Sequence, residues 1–158
     1  MSQLLEQQME SVVCRFRVKG KIKQILPFGS GHINRTYIVT MTDDGEEKRY
    51  TLQQINTSVF RNPDELMENI QNITAHIRRK LRAEGKDAER GTLHMLPDRT
   101  GEHRYVKDAY GSYWRMYPFI DDCVTYDIVD CPDVFRNAAR GFGLFQAQLA
   151  DFPAYTLN

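Results

Sequence analysis

The sequence predicts an α+β chain in which an antiparallel β-sheet carries one long packed helix. Three observations support that expectation. Ile33, Tyr37, Val39 and Met41 alternate with Asn34, Thr36, Ile38 and Thr40, the period of two of a strand with one buried face. Asp43-Asp44-Gly45 then supplies a tight turn, since aspartate favours turn starts and glycine tolerates positive φ, and residues 50–55 return as the next strand. Beyond them Leu66, Ile70, Ile73, Ile77 and Leu81 recur at helical spacing and share one narrow stripe.

The remaining elements follow in chain order. Leu5, Met9, Val12 and Val13 give a short amphipathic helix leading into the sheet. Val18 and Ile22 alternate with Lys19, Lys21 and Lys23, and this strand ends at Pro27 before Phe28-Gly29-Ser30-Gly31. Asn62-Pro63-Asp64-Glu65 starts the long helix: Asn62 caps, Pro63 sits where a missing N–H is harmless, and Glu65 completes a capping box. Residues 83–90 are polar and read as loop. Residues 93–97, 103–109 and 112–120 read as strands separated by turns at Arg99-Thr100-Gly101 and Tyr110-Gly111. A last helix begins near Asp130 or Asp133 and runs to about Ala150, with Phe135, Ala138, Phe142, Phe145 and Leu149 on one face. Gly141 and Gly143 each weaken it by roughly 1 kcal/mol relative to alanine, which predicts close packing of another element there.

Composition narrows the function classes. The 21 basic and 21 acidic residues cancel, so no net field draws in nucleic acid or an anionic membrane. Arg78, Arg79, Lys80 and Arg82 read as a solvated face suited to the negative end of a helix dipole. Cys14, Cys123 and Cys131 form no C-x-x-C pair and leave an odd thiol, the pattern of a reducing compartment. His32, His76, His94 and His103 show no metal-site spacing. The first ten residues lack a cationic start and an unbroken apolar run, and no window is apolar enough to span a bilayer. A cytoplasmic protein is therefore expected.

A loop between antiparallel strands can lie over phosphates and offer them backbone N–H groups, glycine allowing the close approach. Taken alone, Gly29-Ser30-Gly31 reads more simply as hairpin punctuation, since neither a Walker motif nor a full G-x-G-x-x-G is present. Residues 114–120 alone read as a buried edge strand. Several segments in order say more. Residues 31–37 (GHINRTY), 50–56 (YTLQQIN), 59–63 (VFRNP), 66–70 (LMENI) and 114–120 (WRMYPFI) resemble the N-terminal lobe and hinge of aminoglycoside-phosphotransferase-type kinases, closest in pattern to bacterial N-acetylhexosamine 1-kinases. Residues 141–149 are similar to the first large helix of that family's second lobe.

The resemblance implies a protein-kinase-like N-lobe over residues 1–120, and the start of a truncated C-lobe over 121–158. It implies transfer of the ATP γ-phosphate to a sugar hydroxyl, with Mg2+ bridging the phosphates. Gly29, Ser30 and Gly31 would cover the phosphates, while backbone groups of Met116, Tyr117 and Phe119 would hydrogen-bond adenine beneath an apolar ceiling of Ile25, Ile33 or Leu52. A lysine grips the phosphates on the third strand of protein kinases, and Gln53 and Gln54 stand there instead. Gln53 is expected to reach Asn69 or Glu65 on the long helix; the alternative is two surface glutamines.

No H-x-D segment or comparable catalytic loop occurs, so the 158 residues are expected to be inactive alone. Asp121, Asp122 and Asp127 lie just past the hinge and read first as solvated linker carboxylates. The expected partners are a nucleotide, a sugar substrate and the missing second lobe, without nucleic acid or membrane. An apolar face left bare on the last helix predicts self-association. The competing reading is a non-catalytic nucleotide-binding or protein-interaction module.

Overall fold

The structure, a computed structural model, describes residues 3–29, 31, 33–124, 126 and 128–158. Its elements are α1 (Gln3–Val13), β1 (Lys21–Pro27), β2 (Arg35–Asp43), β3 (Glu46–Gln54), α2 (Pro63–Ala83), β4 (Val106–Lys107), β5 (Tyr113–Pro118), α3 (Pro132–Leu149) and a short 3-10 turn, Ala154–Thr156. The strands form one antiparallel sheet in the order β1-β2-β3-β5-β4, giving an α+β fold. Among the described residues no helix is long and apolar enough to cross a membrane.

The chain divides into two compact units, Met1–Gln71 with His94–Phe119, and Asn72–Leu93 with Ile120–Asn158. Phe119 ends the last stretch of the first unit, and Asn72–Leu93, the second half of α2 with the loop after it, belongs to the second.

In the first unit the sheet has two differently covered faces, as strand alternation requires. Met9, Val12, Val13 and Phe16 from α1 and its C-terminal turn pack on Ile25, Tyr37, Val39, Met41, Leu52, Val106, Trp114 and Met116. The opposite face takes the start of α2: Ile55, Met67 and Met95 are buried there with Phe60, Leu66, Ile70, Tyr105, Tyr113 and Tyr117 around them. Met67 lies beside the five-residue stripe read from sequence and is more deeply buried than Leu66 or Ile70. Asn62 caps α2 through a long 3.5 Å bond to Glu65 N–H, and its carbonyl accepts Leu66 N–H at 3.1 Å.

Three strand expectations change. A register shift between Ile22 and Gln24 puts Ile22 and Ile25 on the same side, and a bulge of this kind breaks simple alternation. Residues 93–97 alternate, burying Met95 on one face and setting Leu96 against the other, but form no strand. Their ladder reduces to Leu96 N–H donating to Met116 O at 2.8 Å, beside a single bridge between Phe16 and Asp98. The strand expected over 103–109 shrinks to Val106–Lys107 because aspartate side chains capture the flanking amides. Asp98 Oδ1 accepts from Gly101 N–H (2.7 Å), and Asp108 Oδ1 from Tyr110 and Ser112 N–H (both 2.9 Å).

Asp108 also draws α1 onto the sheet. Its Oδ2 accepts Trp114 Nε1–H (2.8 Å) and Gln8 Nε2–H (2.7 Å). Burial works to raise its pKa, but these bonds and the turn amides hold it below the ordinary value. Gly20 needs to be glycine: at φ +87°, a Cβ there would stand 2.3 Å from Thr42 O.

In the second unit Ile77, Leu81 and Ala88 form a small core with Ile73 and Leu149. Asp151 clasps α2 through Lys80 Nζ (2.6 Å) and His76 Nε2 (3.2 Å), and His76 stacks edge-on to Phe152. The Lys80 bond, aided by His76 against slight desolvation, depresses the Asp151 pKa to about 2.

The long α3 contains no buried residue. Nothing lies within 4 Å of where a Cβ would stand on Gly141 or Gly143, so the close packing expected at these glycines is not formed among the described residues.

Candidate functional site

The face of the sheet that meets α2 holds the polar groups singled out by sequence. Antiparallel pairing places Thr36 opposite Gln53 and Gln53 opposite Arg115, so three strands contribute one side chain each to a single row. Gln53 Nε2–H donates to Thr36 Oγ1 at 3.0 Å. Its Oε1 accepts from Arg115 Nε–H at 2.9 Å and from an Arg115 Nη2–H at 2.7 Å. Gln53 is thus neither a surface glutamine nor a partner of the long helix. Its amide reaches neither Asn69 nor Glu65, because the cross-strand neighbours supplied by the register satisfy both of its ends first. Glu65 is exposed in the first turn of α2 and Asn69 is half-buried a turn further on. Gln54 points to the opposite side, paired with Trp114.

The next positions along this face are Thr51 and Tyr117, then Arg49 and Phe119. Burial pushes the Tyr117 phenol up, with Arg115 and a Thr51 hydrogen bond pulling the other way. Phe119 meets Phe28 edge to face with ring centroids 5.5 Å apart, and the Arg49 guanidinium lies 4.7 Å over the Phe119 ring. Phe28, which opens the glycine bend, is therefore in contact with Phe119, the residue that follows β5.

Phe28 N–H donates to Thr36 O at 2.9 Å, which ties the bend to the polar row. Gly29 adopts φ +82°, a conformation glycine takes without strain, and Gly31 has open space around its α-carbon. Ser30, the middle residue of the bend, and Asp127 lie outside the described residues. A cleft of about 620 Å³ runs beside the bend, lined by Leu5 of α1, Phe28, Gly29, Asn34, Thr36 and Tyr37 among others; Gln53, Arg115 and Phe119 do not line it.

Part of the backbone along 116–119, expected to meet adenine, is already hydrogen-bonded within the chain. Met116 is fully buried in the α1-side core, and its carbonyl accepts Leu96 N–H. Phe119 N–H already donates to Arg49 O at 3.0 Å, and Pro118 has no N–H. Tyr117 and Phe119 present their side chains to the α2 face, and of the backbone groups along this stretch Met116 O and Phe119 N–H are already taken. The apolar ceiling changes as well. Ile25 and Leu52 are sealed beneath α1, whereas the neighbouring pair Leu26 and Ile38 lies on the polar row's side. Ile33 lines the cleft beside the bend.

Two features of this face went unread in the sequence. Arg115 could have been found from the period of two in residues 112–120, which sets Arg115, Tyr117 and Phe119 on one side. Asp64 carries no such signal. It accepts hydrogen bonds from the Tyr105 and Tyr113 hydroxyls, the latter at 3.1 Å, and so pins the start of α2 to the sheet. Desolvation and the Asp64 carboxylate push the Tyr105 pKa from 10.0 to about 12. A phenol whose folded pKa is raised contributes stability that is complete below the unfolded value and lost as pH climbs to the folded one. The denaturation midpoint is therefore expected to fall between about pH 10 and about pH 12, and Tyr105→Phe to remove that part of the slope.

Among the described residues no group of three or more His, Cys, Asp or Glu side chains gathers to hold a metal ion. No protein-family model matches the chain.

Proposed function

We propose that this chain carries the nucleotide-binding lobe of a small-molecule phosphotransferase, one that moves the ATP γ-phosphate to the hydroxyl of an N-acetylhexosamine-like sugar. The observation that carries the reading is the row Thr36–Gln53–Arg115 tied to a glycine bend: hydroxyl, amide and guanidinium, with no carboxylate among them. Such donors suit a polyphosphate and would repel nothing on it. The insertion of α2 between β3 and β4, packed on the same face, agrees with the arrangement that protein-kinase-like lobes use.

On this reading the amides of Gly29 and Gly31 cover the phosphates. The base lies against Leu26, Ile38 and the Phe28–Phe119 pair, held by stacking and apolar contact more than by hinge hydrogen bonds. Magnesium, where bound with the nucleotide, would supply neutralising charge on the phosphates, and among the described residues no cluster of carboxylates is gathered to hold it. The chain then binds nucleotide without turning it over. Titration calorimetry with MgATP, combined with amide chemical shifts, tests this. Saturable binding that moves the Gly29, Gly31, Gln53 and Tyr117 resonances is expected. A folded chain whose resonances stay fixed at millimolar MgATP would overturn the reading.

One observation favours a second reading, a protein-interaction module: α3 displays Phe135, Phe142 and Phe145 to solvent. The same titration separates the two, because an interaction module has no reason to take nucleotide.

A further inference from the structure

Among the described residues Arg115 is a half-buried cation without an anion. Its side chain is half-buried in the middle of the sheet face, and its only hydrogen-bond acceptor among the described residues is the neutral Gln53 Oε1, which takes two of its N–H groups. Among the described residues it forms no ion pair with a carboxylate, and desolvation acts to lower its pKa. Taking a guanidinium out of water is costly when nothing of opposite charge meets it, and an amide dipole offsets only part of that cost.

The remaining donors are not sealed in. Among the described residues the one fully buried side-chain nitrogen without a partner is Arg78 Nε, so Arg115 Nη1, which makes no hydrogen bond to them, keeps some contact with solvent. The row also fixes their direction. Thr36 Oγ1 accepts from Gln53 Nε2, which sets the amide with its oxygen toward Arg115, and that oxygen clamps the Nε–Nη2 edge of the guanidinium. The outer edge is left as a planar fork, the shape that binds phosphate oxygens in pairs.

We propose that Arg115 is a phosphate-binding residue of this site, supplying from β5 the positive charge that β3 lacks, with Gln53 as the positioning residue that aims it. This deepens the nucleotide-binding reading above and rests on it for the identity of the ligand, a nucleoside triphosphate. Phe28 N–H on Thr36 O links the bend to the same row, so loop amides and guanidinium can converge on one polyphosphate.

The decisive variant is Gln53→Glu. It supplies Arg115 with an internal carboxylate, so thermal stability should hold or rise while affinity for MgATP and for inorganic pyrophosphate falls roughly 10- to 100-fold, the loss of one charge-assisted pair. Arg115→Gln should weaken both ligands similarly, flatten the salt dependence of binding and leave adenosine binding unchanged. A merely structural Gln53 would not separate stability from affinity in this way. If MgATP binds equally well to wild type and both variants, the role of Arg115 is wrong and the nucleotide reading stands. If pyrophosphate binds through Arg115 but MgATP binds no better than pyrophosphate, the anion site stands and the nucleotide reading falls. If the wild type binds neither, both fall. Should Arg115→Gln fail to fold, Gln53→Glu still decides.

Discussion

Trp114→Ala is expected to cost about 3–5 kcal/mol of stability, a large share of the roughly 5–15 kcal/mol that holds a domain of this size together. The indole is fully buried, so its loss combines unfavourable transfer with a cavity that the surrounding Tyr37, Leu52 and Met116 can only partly close. Its N–H is also the donor that Asp108 Oδ2 accepts at 2.8 Å. Removing it leaves the carboxylate holding Gln8 and the turn amides alone, and loosens α1 as well as the β4–β5 turn. Trp114→Phe keeps most of the volume and drops the hydrogen bond, and should cost appreciably less. Urea midpoints for the two variants check the order. Equal midpoints for wild type and Trp114→Ala would show that this packing contributes little.

The second large effect concerns association. The 158-residue chain, 18.4 kDa as a monomer, is expected to form larger species as its concentration rises, because α3 exposes Phe135, Phe142 and Phe145 by 69%, 73% and 46%. An isolated helix of this length is marginal in water, and apolar area left in water is unfavourable by roughly 25 cal/mol per Å². A second copy can cover that face. Light scattering should show mass increasing with concentration, and Phe135→Glu with Phe142→Glu should return the chain to the monomer. A strictly monomeric wild type at high concentration would contradict the expectation.

Legibility of the fold followed the range of the forces involved. The β2–β3 hairpin was readable because everything that makes it is local: alternation through Tyr37, Val39 and Met41, and a turn at Asp43-Asp44-Gly45 in which Asp44 and Gly45 both take positive φ. The long helix was readable for the same reason, from cap to last turn. Residues 103–109 were not, because Asp98 and Asp108 take the flanking amides of Gly101, Tyr110 and Ser112, and a sequence does not say which carboxylate will win that competition.

The candidate site divides in the same way. The glycines and Gln53 could be picked out one residue at a time. What Gln53 touches depends on register, and register set Thr36 and Arg115 across from it before any helix residue could compete. Ile25 and Leu52 lie beneath α1; for Leu52 the period of two beside Gln53 already requires the side away from the polar row, whereas Ile25 depends on the bulge between Ile22 and Gln24.

The sheet has one further consequence. The chain contains a single tryptophan, and that residue lies under α1 with its indole N–H on the carboxylate that also holds Gln8. Tryptophan emission from this protein, excited where tyrosine does not absorb, therefore comes from one known environment. Lifting the amino-terminal helix would admit water to the ring and shift the spectrum to longer wavelength, whereas events confined to α3 would leave the colour unchanged. The molecule thus carries its own optical gauge of whether the helix is seated.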